Sequence, residues 1–383
     1  MTDVPVLLTY LQEMNEQEAS DLYLAVGQPP TLRVNDELTM INNEPLTHDI
    51  IDGMLSSVLT SRQRSEFEAT MELNMGLDMF HYGRFRFSFF KQKQSPALVI
   101  RRIVSEIPDI DGLHLPPILK ELALEKRGMI LLTGMTGAGK STTLAAMINY
   151  RNQNTSGHII SIEDPIEFFH THKKSVVTQR EIGSDTESYA IALKNALRQR
   201  PDVIMVGEIR DREVMEHALM SAETGHLCLS TLHTNNTYQA IERIVNLFPD
   251  EYDKQIRLNM STNLKAIISQ RLVPGKHGGV VPALEVMLNQ GLVRELILNG
   301  KIAQIVEVME KNNANGMCSF DQSLLKLIEQ DMITSETALA FADKPTDLKV
   351  KLQNMPMAEG GGDGSMQTAA VPYETSDTIK FYD

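Results

Sequence analysis

The chain has 383 residues, with 36 Lys+Arg against 50 Asp+Glu and a formal net charge of −14. That length accommodates two or three domains of ordinary size. With 42% hydrophobic and 22% charged residues, the usage is that of a globular protein and excludes a globally disordered chain.

The acidic balance argues against sequence-independent nucleic-acid binding, which normally shows as a basic stripe, so no nucleic-acid partner is expected. Cys228 and Cys318 are the only cysteines and form no Cys-x-x-Cys pair. Neither a zinc ribbon nor a disulfide framework is indicated, and sparse thiols fit a reducing cytoplasm. No Lys or Arg precedes Arg33, whereas a secretory signal needs a positive start. No apolar run approaches the roughly 18 residues of a spanning helix. A soluble, cytoplasmic protein is expected.

Residues 6–19 place Val6, Leu7, Leu8, Leu11 and Met14 near helical spacing. Two short strands are predicted over 21–26 and 31–40, separated by Pro29-Pro30. Helical spacing returns over 49–69. Three strands are then predicted over 71–79, 84–92 and 97–104. In the second, Phe85, Phe87 and Phe89 alternate with Arg84, Arg86 and Ser88, the period of a half-buried strand. Segregated helices and consecutive strands predict a small α+β domain over 1–104, an antiparallel sheet with helices on one face.

Pro108, Gly112, Pro116 and Pro117 make 105–117 the expected linker. Over 118–287, short apolar runs at 129–133, 158–162, 203–206 and 227–232 alternate with helical patterns such as 189–198, 212–223 and 238–246. This predicts a doubly wound α/β domain with buried parallel strands. Residues 290–341 read as mostly helical, carrying that domain to 350. The Gly360–Gly364 run and the polar residues after it make 351–383 the expected flexible tail.

The strongest motif is Gly134-Met135-Thr136-Gly137-Ala138-Gly139-Lys140-Ser141-Thr142. It fits Gly-x4-Gly-Lys-[Ser/Thr] and lies between a predicted strand and a helix, as a phosphate loop requires. Its glycines free backbone N–H groups to cradle phosphate oxygens, and the helix start adds a positive dipole end. Lys140 is expected to reach the β- and γ-phosphates of ATP, and Ser141 to ligate Mg²⁺.

A second element, Asp202–Glu208, is a buried strand delivering Glu208 at its C-terminal end. That edge is where ligands bind in doubly wound sheets, and the arrangement is of Walker-B type. A third, Glu163-Asp164-Pro165-Ile166-Glu167, gathers three carboxylates at another strand end. Glu167 or Glu163 is a candidate to activate water, with Asp164 supporting the metal. Glu208 is a candidate to hold Mg²⁺ through water or to orient the attacking water. A fourth, Gly225–Thr234, sets His226 and His233 at the two ends of one apolar strand. Structural histidines are the simpler reading there.

These four boxes, in this order and spacing, resemble those of the secretion and pilus ATPases. The segments SIEDPIEFFH, VGEIRD and AETGHLCLSTLHT, with the short N-terminal domain, resemble the PilT/PilU-type retraction ATPases of type IV pili over residues 5–345. The resemblance implies a PAS-like N-terminal domain, a RecA-like P-loop ATPase domain and a homo-hexameric ring. It implies acidic-box roles for Glu163, Asp164 and Glu167, with Glu167 at the position taken as catalytic. Glu208 falls to Walker B, and His226 and His233 to a histidine box in which His233 senses the γ-phosphate. It further implies arginines acting at the nucleotide, matched here by Arg86, Arg101 and Arg127. An arginine supplied across a subunit boundary stabilises transition-state charge.

Two departures stand out. Where retraction motors read Ala-Ile-Arg-Asn-Leu-Ile-Arg-Glu, this chain reads Leu292-Val293-Arg294-Glu295-Leu296-Ile297-Leu298-Asn299. It also carries the 355–383 tail, which ends in Ile379, Phe381 and Tyr382. Both features are similar to the accessory, PilU-type branch. The implied partners are its own copies, a paralogous retraction ATPase and an inner-membrane pilus platform protein, at the cytoplasmic face of that membrane. An extension or secretion motor and a nucleotide-binding accessory subunit are the alternatives.

Overall fold

The computed structural model describes residues 6–35, 37–79, 82–103, 107–312 and 316–354. The alternation of Phe85, Phe87 and Phe89 with polar residues has the predicted consequence: all three rings are buried and the residues between them face outward. They floor a core that receives Leu7, Leu11 and Met14 from a helix over Val6–Glu16. Ile51, Met54 and Leu55 reach it from His48–Val58, and Phe67 from Ser61–Thr70. The sheet beneath comprises β1 (Asp21–Ala25), β2 (Thr31–Val34), β3 (Glu37–Met40), β4 (Glu72–Asp78), β5 (Arg84–Gln92) and β6 (Ser95–Ile103). Its order is β3-β2-β1-β6-β5-β4, antiparallel throughout.

Two predicted elements divide. The strand expected over 31–40 is a hairpin, because Asn35 adopts φ 49° and Val34 pairs with Glu37. Asn accepts that left-handed conformation more readily than most residues. The helix expected over 49–69 breaks at Leu59, where Thr60 and Gln63 form a reciprocal capping box that starts a new helix. Thr-x-x-Gln carries that signal in the sequence.

The second sheet contains β7 (Gly128–Thr133), β8 (His158–Glu163), β9 (Val176–Glu181), β10 (Val203–Val206), β11 (Leu227–Leu232), β12 (Leu264–Pro274) and β13 (Val280–Leu288). The order is β13-β12-β7-β11-β10-β8-β9, parallel except for the β12–β13 hairpin. β7, β10 and β11 are buried at every residue, as strands covered by helices on both faces must be. The helices Lys140–Asn154, Tyr189–Ala196, Arg212–Glu223 and Thr237–Val245 supply the cover. Ile110 and Leu115, in the segment read as a linker, are buried in this same core.

Three helices, Phe320–Glu329, Ser335–Phe341 and Pro345–Gln353, pack Leu324, Leu327 and Leu348 against Val273 and Val281 of the hairpin. β9, β12 and β13 were not anticipated. The tail over 355–383 lies outside the described residues.

Candidate active site

Because β7, β8, β10 and β11 run parallel, their C-terminal ends open on one edge of the sheet. Four chain segments leave that edge together: the glycine-rich loop after Thr133, the acidic box from Glu163, Gly207-Glu208 after β10, and His233 after β11. The cleft between them is lined by Thr136, Gly137, Lys140, Ser141, Glu163, Asp164, Glu167, Glu208, Arg210 and His233.

The loop's conformation depends on its glycines. Gly134, Gly137 and Gly139 have φ of 149°, 78° and 80°, a region L side chains avoid. A Cβ on Gly134 would lie 2.5 Å from the Gln270 carbonyl oxygen, and one on Gly139 would lie 2.8 Å from Gln270 Nε2. β12 therefore packs directly under the loop. The Thr143 hydroxyl donates to Gln270 Oε1 at 2.7 Å, locking that side chain to the first turn of the following helix. Gly134 and Ala138 border a second depression on the Gln270 side, while Gly139 and Thr142 border another beneath the loop.

Lys140 is buried and its Nζ donates to the carbonyls of Gly134 and Met135, 2.9 Å each. Burial pulls this ammonium below its usual range, while Glu208 and Glu167 oppose the shift. Ser141 is exposed on the cleft side.

Arg210 organises the opposite wall. Its Nε donates to Glu208 Oε2 at 2.8 Å and its Nη1 reaches Asp164 Oδ2 at 3.4 Å. His233 Nε2 lies 3.2 Å from Glu208 Oε1. Burial, reinforced by Lys140, pulls the His233 imidazole down. Tyr189 lines the same wall, and burial pushes its phenol up, keeping it protonated.

The acidic box divides by environment. Asp164 and Glu167 are exposed in the cleft, and Glu163 is buried. Glu163 Oε1 accepts from the Ser161 hydroxyl at 2.6 Å and from Gln179 Nε2 at 3.2 Å. Burial raises its carboxyl to about 7, with these donors pulling the other way. Gln179 also fixes the loop's far end, donating to the Phe168 carbonyl at 2.8 Å and accepting the His170 N–H at 2.8 Å. The Asp164–Pro165 peptide is cis.

Arg86, Arg101 and Arg127 do not line this cleft. All three are exposed, Arg86 and Arg101 face each other across β5 and β6, and Arg101 Nε donates to Asp21 at 2.8 Å. His226 is likewise absent from the cleft. It precedes β11, about 20 Å from His233 at strand rise, and its Nδ1 contacts Ser221 O and Thr224 Oγ1.

Arg210, Tyr189, Gln179 and Gln270 had no role in the sequence reading. Arg210 had a signal, two residues beyond Glu208. Gln179 and Gln270 sit on strands whose contribution appears only once the sheet is assembled.

A phosphate loop, a strand-end carboxylate and a histidine at one parallel-sheet edge, preceded by a small α+β domain, define a RecA-like P-loop ATPase. The family described as Type II/IV secretion system protein matches residues 73–323. The chain is 47% identical over 344 residues to the type IV pilus ATPase PilU of Pseudomonas aeruginosa, covering 90% of each. It is 38% identical over 343 residues to the PilT retraction ATPase of the same organism, covering 90% of this chain and 99% of that one. A crystal structure of the pilus retraction motor PilT with bound ADP superposes with TM-score 0.84 at 42% identity, over 90% of this chain and 99% of that chain. The chain belongs to the Type II/IV secretion system protein family.

Proposed function

We propose that the chain is the subunit of a homo-hexameric ring whose ATP hydrolysis powers or assists type IV pilus retraction, and so twitching motility. The observation that carries this reading is the convergence of Lys140, Glu167, Glu208 and His233 on one cleft, in a chain similar over nine-tenths of its length to pilus ATPases. The cleft within one subunit is about 260 Å³, below the roughly 300–1,000 Å³ of ordinary ligand pockets.

Ser141, Asp164 and Glu208 offer an all-oxygen donor set suited to Mg²⁺. Mg²⁺ is commonly held by one or two carboxylates together with phosphate oxygens and water. When bound, Mg²⁺ neutralises charge on those oxygens. Backbone N–H groups of Gly134–Gly139 with Ser141 and Thr142 hold the phosphates, and Lys140 faces the terminal ones. Glu167, exposed in the cleft, orients and deprotonates the attacking water. Glu163 stands behind it, and His233 reports the γ-phosphate to Glu208. Arg86 is exposed opposite Arg101 on β5 and β6, and Arg101 is held by Asp21 within the same subunit. They and Arg127 serve a neighbour's nucleotide.

The domain plan in this reading is 1–104, a linker at 105–117, the ATPase domain to 350, and a tail. Among the described residues no helix is long and apolar enough to cross a membrane. The ring works at the cytoplasmic face of the inner membrane, against the pilus platform protein and beside a paralogous retraction ATPase.

A second reading, an accessory subunit driving little work alone, is favoured by the helix Leu292–Leu298. It presents Leu292 and Leu298 to solvent at 53% and 45% exposure, where retraction motors place an arginine at the second position. The test is twitching in cells lacking both retraction ATPases, supplied with this chain or with Lys140→Ala. Motility restored by the wild type alone supports an independent motor. Motility that returns only when the paralogue is also supplied supports the accessory reading. No effect on motility with either refutes both.

A further inference from the structure

β4 is an edge strand of the first sheet and β9 an edge strand of the second. They meet at Glu181, the last residue of β9, whose side chain is 4% exposed. Its Oε1 accepts the backbone N–H of Gly76 in β4 at 3.2 Å and the Ser184 hydroxyl at 3.3 Å. Its Oε2 accepts Arg84 Nη2 at 3.1 Å and the backbone N–H of Ile166 at 3.2 Å. The Arg84 guanidinium also lies 4.2 Å from the Phe169 ring centroid. Ile166 immediately precedes Glu167 in the acidic box, and Phe169 lies two residues beyond it. One buried carboxylate thus takes donors from the small domain on one side and from the acidic loop on the other. Two residues earlier, on the same face of β9, Gln179 holds the His170 end of that loop.

Charge-assisted hydrogen bonds are roughly twice as strong as neutral ones, and a buried carboxylate that loses its donors is strongly disfavoured. Moving the small domain so as to withdraw Arg84 and Gly76 leaves Glu181 short of partners, and the side chain must shift to recover them. The Ile166 amide shifts with it, and Glu167 is the next residue. We propose that Glu181 is a positioning residue that transmits the placement of the small domain to Glu167, so that hydrolysis is fast only when Arg84 and Gly76 are seated on it. This rests on the role given to Glu167 above.

Gly76 gives a probe remote from the chemistry. Its φ is outside the left-handed region, and an added Cβ would lie 2.9 Å from both Arg84 Nη2 and Glu181 Oε2. Both are tips of side chains, so Gly76→Ala displaces the contact and leaves the backbone in place. The experiment compares full-length wild type, Gly76→Ala, Glu181→Gln, Arg84→Ala, Arg84→Lys and Glu167→Gln. It reads kcat and KM for MgATP, ADP affinity, and amide hydrogen exchange over residues 165–170.

The expected result is loss of turnover in Glu167→Gln. In Gly76→Ala, Glu181→Gln and Arg84→Ala, kcat falls about tenfold while ADP affinity stays within about twofold, the mark of an effect on chemistry rather than binding. Exchange over 165–170 quickens in those three, and Arg84→Lys recovers part of the rate. If Glu167→Gln is inactive while Gly76→Ala and Glu181→Gln turn over at the wild-type rate, the coupling is refuted and the role of Glu167 stands. If Glu167→Gln turns over normally, the role of Glu167 falls and the coupling with it. If kcat and affinity fall together, Glu181 is merely structural and the proposal is overturned.

Discussion

Glu163→Gln converts the electrostatics of the acidic box into a measurable pH dependence. The side chain is 7% exposed, and burial lifts its carboxyl from 4.5 to about 7. Between those values the folded chain keeps a proton that the unfolded chain releases. The stability this group contributes is complete below pH 4.5 and lost as pH rises through about 7. At about 1.4 kcal/mol per pH unit the loss is about 3 kcal/mol. Glutamine cannot ionise, and its Oε1 still accepts from Ser161 and Gln179. The variant therefore gains on the wild type as pH rises. For domains of 150–250 residues roughly 2–4 °C accompanies each kcal/mol. About 2.5 kcal/mol of that loss falls between pH 5 and pH 8, so the gap in Tm between variant and wild type should widen by roughly 5–10 °C over that range. Thermal melts of nucleotide-free protein at intermediate steps would show it. A gap flat across that range, or one that narrows, refutes the assignment of a protonated, buried Glu163.

Gly134→Ala should abolish nucleotide binding in equilibrium titrations and destabilise the ATPase domain by about 1–3 kcal/mol, because the new Cβ meets the Gln270 backbone carbonyl. Lys140→Ala should remove ATP turnover, measured as phosphate release, while far-ultraviolet circular dichroism stays unchanged. Arg210→Ala frees both Glu208 and Asp164. As an exposed pairing it should alter Tm little, while kcat falls by about tenfold or more through loss of a cation facing developing phosphate charge. Cys228, whose thiol burial pushes up to about 12, should resist alkylation in the native protein at pH 8 and react once urea unfolds it.

How far the sequence carried depended on the range of each interaction. The glycine-rich loop was legible because its chemistry is local: glycines at positive φ, a lysine and a helix start lie side by side in the chain. Glu208 was legible because it follows a short apolar run with the pattern of a buried strand, whereas His233, at the end of a similar run, took a role at the nucleotide only from the family resemblance. Gln270 and Gln179 were not. The strands bearing them, β12 and β9, reach the phosphate loop and the acidic box only through the order of the assembled sheet. The split of 49–69 turned on Thr60 and Gln63, a cap overridden in a reading based on apolar spacing alone. Glu163 and Glu167 looked equivalent in the chain. Only burial separates a carboxyl held near neutrality from one open to the cleft.

The central claim is that neighbouring subunits share each ATP site, and mixing two inactive variants tests it most directly. Lys140→Ala lacks the phosphate-loop lysine, and the double variant Arg86→Ala, Arg101→Ala lacks the arginines assigned to the neighbour. Each alone should be inactive in MgATP hydrolysis. In rings assembled at random from equal amounts, roughly a quarter of interfaces pair an intact lysine with intact arginines, and activity should return in that measure. A mixture as inactive as its components, with mixed rings present, would contradict the account.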